Sequence, residues 1–77
     1  MERSFDRKTV IARDGDHFIV STVSLPASIF GFVFETMVFR CSPDGEVESY
    51  SDLYCQRYDM RDEAEAGHVF ATETFQL

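Results

Sequence analysis

The chain has 77 residues, enough for one small domain. Its 8 Phe and 3 Tyr, with no Trp, supply the apolar area such a domain needs, while a formal net charge of -7 disfavours phosphate and anionic-membrane partners and favours a basic one. The longest apolar run, Ile29 to Phe34, is too short to span a membrane, and the charged start (Glu2, Arg3, Asp6, Arg7, Lys8) lacks the apolar segment of a signal peptide, so a cytoplasmic protein with reduced thiols is expected.

The charge is uneven. Arg3, Arg7, Lys8 and Arg13 make residues 1–13 net basic, and all but two of the 14 acidic groups follow them. Residues 1–6 read as loose. Arg7 to Arg13 is rich in β-formers, and so is His17 to Leu25. Asp14-Gly15 between them is a two-residue hairpin signal, because both turn positions need positive φ. That loop length sets Arg13 opposite Asp16, Ala12 opposite His17 and Ile11 opposite Phe18, which matches charge to charge and apolar to apolar. Pro26 ends the second strand for want of a ladder donor, and Ala27 to Gly31 connect to a third strand over Phe32–Cys41.

Ser42-Pro43-Asp44-Gly45 has the composition of a type I turn. A fourth strand falls within Glu46–Tyr58, with a break or bulge near Asp52 where Ser49, Ser51 and Asp52 interrupt the alternation. The period then changes to that of a helix. Asp59 is the predicted N-cap, with Asp62 three residues on resembling a capping box. Met60, Ala64, Gly67, Ala71 and Phe75 form one stripe, and Gly67 is the place for a close approach of helix to sheet. The order β-β-β-β-α predicts an α+β fold, one domain over residues 1–77: a four-stranded antiparallel sheet of two hairpins with a C-terminal helix packed on one face.

The third strand is apolar on both faces. Phe32, Phe34, Thr36 and Val38 alternate with Val33, Glu35, Met37, Phe39 and Cys41. The second strand behaves alike, with Phe18 and Val20 on one side and Ile19, Val23 and Leu25 on the other. One helix covers one face, so something must cover the second. A homodimer with Val33, Met37 and Phe39 in its interface is one solution. Strand 1, the N-terminal arm or the Pro26–Gly31 loop folding over it is another.

Ser21-Thr22-Val23, Phe34-Glu35-Thr36-Met37-Val38-Phe39, Arg57-Tyr58 and Glu63-Ala64-Glu65-Ala66-Gly67-His68 together carry a resemblance. Over about residues 21–68 the chain resembles a family of small uncharacterised proteins found mainly in actinobacterial phages and related bacteria. Their pattern runs S-T-V-x-L, a Gly-rich stretch, F-E-T-M-V-F, then R-Y-x-T-x-x-E-A-x-x-G-H. This chain departs at Pro26–Gly31, which lacks the longer Gly-rich loop, and after His68, where Val69-Phe70 stand in place of a charged residue. The resemblance implies a phage or prophage origin and an intracellular setting. It assigns no chemistry to any residue.

His17, Cys41, Cys55 and His68 are single and scattered, unlike the close ligand pairs of structural zinc sites, so no metal and no cofactor are expected. A Cys–His nucleophile needs an electropositive setting that neither thiol has. Glu35 lies within the third strand on a face of apolar residues and must be paired, with Arg57 or Arg13, or solvated. His68 borders the buried stripe, where a hydrogen bond to Tyr58 would hold it. Glu35, Tyr58 and His68 are therefore the candidate binding residues of a small enzyme or ligand-binding protein. The competing reading is a non-catalytic protein-interaction module, not an enzyme, that binds a host protein. Its narrower version is an inhibitor offering Glu46, Glu48, Asp52, Asp59, Asp62, Glu63 and Glu65 to a basic surface. Acidity of this kind also serves solubility alone, and a structural homo-oligomer is the third reading.

Overall fold

The computed structural model describes residues 5–25 and 33–76. Four strands, β1 (Asp6–Arg13), β2 (Asp16–Ser24), β3 (Phe34–Cys41) and β4 (Tyr54–Tyr58), precede one helix, α1 (Arg61–Gln76). The strands form a single antiparallel sheet in the order β1-β2-β3-β4, with α1 packed on one face, the α+β architecture expected from the patterning.

The first hairpin has the register set by its loop. Arg13 faces Asp16, Ala12 faces His17 and Ile11 faces Phe18. Asp14 and Gly15 take φ of 51° and 85°, the double positive φ of a type I′ turn. The turn after β3 closes with the Gly45 N–H donating to the Ser42 carbonyl at 2.9 Å, and Gly45 has φ of 89°. The break expected near Asp52 is present. Val47 bridges to Cys41 and the Glu48 N–H donates to the Arg40 carbonyl, after which the chain leaves the sheet and rejoins it where the Leu53 N–H donates to the Val38 carbonyl.

Three expectations need correction. Phe5 and Asp6 are not loose: Asp6 opens β1, and Phe5 is buried edge-to-face against Phe34 at 5.9 Å, with the Arg61 guanidinium 4.9 Å over its ring. That aromatic contact and the reciprocal bonds of Phe5 with Ser24 anchor the strand's start. The helix N-cap is Met60 rather than Asp59. The Met60 carbonyl accepts from the Ala64 N–H at 3.1 Å, and the Glu63 carboxylate reaches back to the Met60 N–H at 3.2 Å, so Glu63 takes the capping-box role assigned to Asp62. As a cap residue Met60 lies outside the helical stripe and is exposed. The second strand stops at Ser24, and Leu25 bonds through its N–H to the Val33 carbonyl. The strand-ending role of Pro26, the connection over Ala27–Gly31 and Phe32 lie outside the described residues.

The core lies between α1 and the sheet in two apolar clusters. Ile11, Phe18, Val20, Val38 and Ala71 form one, with Tyr54 and Phe75 against it. Phe5, Phe34 and Ala64 form the other, with Val33 and Tyr58. On the side of α1 that faces the sheet, the small residues Ala64, Gly67 and Ala71 flank the buried His68 and let the helix ride low on the sheet. Between the clusters runs a row of buried polar groups.

Candidate functional site

Two arrangements could carry function, one in the helix–sheet interface and one on the sheet's opposite face. In the interface, His68 is the largest fully buried side chain, only 1% exposed. It lies within the interface, not at its border as its place beside the stripe suggested. Its Nε2 shares a hydrogen bond with Thr9 Oγ1 at 2.8 Å, and its Nδ1 shares one with Thr22 Oγ1 at 2.7 Å. Thr22 Oγ1 in turn bonds Thr36 Oγ1 at 2.6 Å, and the Thr72 hydroxyl donates to the His68 carbonyl. Thr22 and Thr36 face each other across β2 and β3 and are fully buried. A neutral imidazole, one donor and one acceptor, satisfies this chain in either direction. Burial first, and the Arg7 charge second, hold the His68 pKa below the ordinary imidazole value. A neutral, doubly bonded histidine sealed from water is a structural pin between helix and sheet.

The bond expected between His68 and Tyr58 is not formed. The Tyr58 ring passes under α1 at Gly67, where a β-carbon would stand 2.0 Å from its hydroxyl. That hydroxyl is buried and has no hydrogen-bond partner among the described residues. Leaving it unsatisfied costs about 1–3 kcal/mol, so Tyr58→Phe is expected to raise stability by about 1 kcal/mol, read as a higher urea midpoint at unchanged m-value.

Glu35 lies on the far side of the sheet from both. It faces Arg57 across β3 and β4, while its neighbour Phe34 faces Tyr58. Arg57, not Arg13, is its partner: Arg57 Nε donates to Glu35 Oε2 at 2.8 Å, with the Glu35 side chain only 12% exposed. The three residues Glu35, Tyr58 and His68 therefore do not share a pocket, because adjacent residues of one strand point to opposite faces. Cys55 Sγ donates to the same carboxylate oxygen at 3.5 Å. Burial and the Glu35 carboxylate push the Cys55 thiol up, and burial with Glu48 and Asp44 does the same for Cys41. Both are free thiols and poor nucleophiles by this chemistry.

The face opposite α1 is the second arrangement. Across the strands its rows read Val10–Ile19–Phe39, Lys8–Ser21–Met37–Cys55 and Asp6–Val23–Glu35–Arg57. Met37, Phe39 and Val23 are half-buried, while Val10 is 42% exposed. The segment between β3 and β4 lies over the hairpin end of this face, with Gly45 against the Val10 side chain, the Tyr50 ring 5.6 Å from Phe39 and the Val47 bridge beside buried Cys41. Val33, expected on this face, packs instead with Phe5, Phe34 and Ala64, because regular alternation begins only at Phe34.

The described residues also form two shallow hollows. One, about 240 Å³, lies at the hairpin end between Asp16, Arg40 and Glu48. The other, about 530 Å³, runs along Gln56, Arg57, Asp59 and Glu63. Among the described residues no group of three or more metal-ligating side chains converges, and no helix is long and apolar enough to cross a membrane. The polar row was legible in part: Thr22 and Thr36 fall in phase with Phe18, Val20, Phe34 and Val38, and a polar group on an apolar phase needs a partner. Comparisons of the chain with protein-family models, with curated proteins and with solved structures returned no match.

Proposed function

We propose that this chain is a non-catalytic protein-interaction module of phage or prophage type. The observation that carries the reading is the sheet face opposite α1, where Val10 is exposed and Val23, Met37 and Phe39 are only half-buried. Apolar groups gathered on one face mark a contact surface more often than chemistry. The phage or prophage origin rests on the sequence resemblance alone.

The narrower form of the proposal is an acidic inhibitor of a basic host surface. Glu46, Glu48, Asp52, Asp59, Asp62, Glu63 and Glu65 are all exposed, and none forms an ion pair with another described residue. Such a rim repels nucleic acid and steers a basic protein. The test is capture of a host protein by the tagged chain at physiological salt and again at about 0.5 M, where the Debye length falls to about 4 Å. A partner lost at high salt, and lost also by the triple variant Asp62→Lys, Glu63→Lys, Glu65→Lys, is the expected result. A partner indifferent to both rules out the acidic form. No partner, with a thermal shift produced by a metabolite, overturns the module reading.

A further inference from the structure

We infer that the outer edge of β1 takes up an extended acidic segment of a partner protein, added to the sheet as a further antiparallel strand. β1 stands at the end of the strand order, so among the described residues it pairs with β2 alone. The two-residue turn at Asp14-Gly15 makes Arg13 and Asp16 a hydrogen-bonded pair, and alternate residues back from it, Ile11, Thr9 and Arg7, bond β2 in the same way. The Ser24 N–H donating to the Phe5 carbonyl at 2.9 Å continues that phase to the strand's start. The N–H and C=O groups of Asp6, Lys8, Val10 and Ala12 therefore point away from the sheet. All four residues are exposed, and among the described residues no backbone group bonds to them from that side. They form a ladder of free donors and acceptors along most of an 8-residue strand, a ready template for another strand. β4, at the other edge, runs for only 5 residues.

Charge selects the occupant. β1 carries Arg7, Lys8 and Arg13 against Asp6, in a chain whose net charge is -7. Lys8 is held by Asp6, and Arg13 reaches Asp14 only at 3.9 Å. Arg7 has no carboxylate partner among the described residues. Arg7, Thr9, Ile11 and Arg13 share the α1 side of β1, where Thr9 bonds His68 and Ile11 is core. An added strand therefore meets a cation at each end, with uncharged Thr9 and Ile11 between them. An antiparallel segment with an acidic residue at each end and β-branched residues between matches both cations, and Val10, 42% exposed on the other side, gains an apolar neighbour. Main-chain bonds supply the affinity in this mode and side chains supply the choice of partner. The same cations repel a basic strand and the β1 of a second copy. None of the carboxylates of the acidic rim lies in β1, so this edge is a separate surface from that rim.

The test is binding of labelled, capped synthetic peptides to the unmodified chain, read by fluorescence anisotropy up to about 1 mM. The first peptide has Glu at both ends with Thr, Val, Val, Thr and Thr between them. The second has Lys in place of Glu, and the third is the first with the amides that face β1 N-methylated. The first is expected to bind, and the other two at least tenfold more weakly. In the chain, Val10→Pro removes one outward N–H without touching a ladder bond, and Arg7→Gln combined with Arg13→Gln removes both cations from exposed positions. Each variant is expected to keep the folded circular dichroism spectrum and to lose at least tenfold in affinity for the first peptide. The arginine pair and the N-methylated peptide keep the test decisive if Val10→Pro unfolds. No binding of the first peptide, equal binding of the Glu and Lys peptides, or indifference to N-methylation overturns the inference. So does a chain whose mass in solution doubles from 8.9 kDa and returns to monomer in Val10→Pro, which makes a second copy the occupant. Failure of the peptides alongside host capture that still vanishes at high salt removes the edge site and leaves the module reading standing.

Discussion

His68→Ala is expected to remove about 3 kcal/mol of folding stability, because it opens a cavity under α1, takes the imidazole partner from the Thr9 hydroxyl and leaves the Thr22 hydroxyl with Thr36 alone. A domain of this length has about 4–12 kcal/mol in all, so the variant would be marginal at room temperature. The same residue makes stability depend on pH. The groups around the ring are the hydroxyls of Thr9, Thr22 and Thr36 and the Arg7 charge, with no carboxylate bonded to it. Its folded pKa is lowered, so below the ordinary value the unfolded chain binds the proton first. The stabilisation is fully present above about pH 6.5 and is lost as the pH falls from there towards the folded value, with a slope of up to about 1.4 kcal/mol per pH unit. Denaturant titrations at about pH 7.5 and about pH 5.5 read this directly. His68→Gln should flatten the slope over that interval. An identical slope in the variant would show that other groups carry it.

The second large effect belongs to Gly67. A β-carbon there would stand 2.0 Å from the Tyr58 hydroxyl, 2.3 Å from Cζ and 2.6 Å from Cε1, so the whole ring end must move. Tyr58 packs beside Phe34 and Ala64, which limits where it can go. Alanine would gain about 1 kcal/mol in helix propensity, yet overpacking costs about 1–3 kcal/mol, and lifting α1 stretches the His68 bonds as well. Gly67→Ala is therefore expected to lose about 1–2 kcal/mol net. In a Tyr58→Ala background the clash is gone and the same substitution should be neutral or stabilising. Equal losses in the two backgrounds would refute the steric account and place the cost elsewhere in the helix.

These two residues mark where local reading succeeds and where it stops. Gly67 stood out from the helical stripe as a point of close approach, since glycine inside a helix needs a packing reason. What approaches it, the ring of Tyr58, came only with the fold. His68 was legible as a residue near the buried side of a helix. Its partners Thr9 and Thr22 lie 59 and 46 residues away along the chain, and no periodicity links them to it. Grouping Glu35 with Tyr58 and His68 failed because Glu35 and Tyr58 sit on opposite sides of one sheet. Alternation is regular along β3 from Phe34 onward, but the phase of β4 relative to β3 depends on their pairing.

The sequence by itself determined the order of elements, the first hairpin and its register, the turn at Ser42–Gly45 and the break before β4. All of these follow from local rules: a positive-φ turn, a proline-containing turn, a period of two or of 3.6. Only the tertiary structure decided that Phe5 is core, that Met60 rather than Asp59 caps the helix, and that Val33 turns towards α1. It also decided that a histidine and three threonines hold the helix to the sheet. Apart from the cap, which turns on the nearby Glu63 carboxylate, those outcomes depend on which distant side chains meet. Buried polar groups accept only positions where every donor and acceptor finds a partner, and that condition is met across the sheet rather than along the chain.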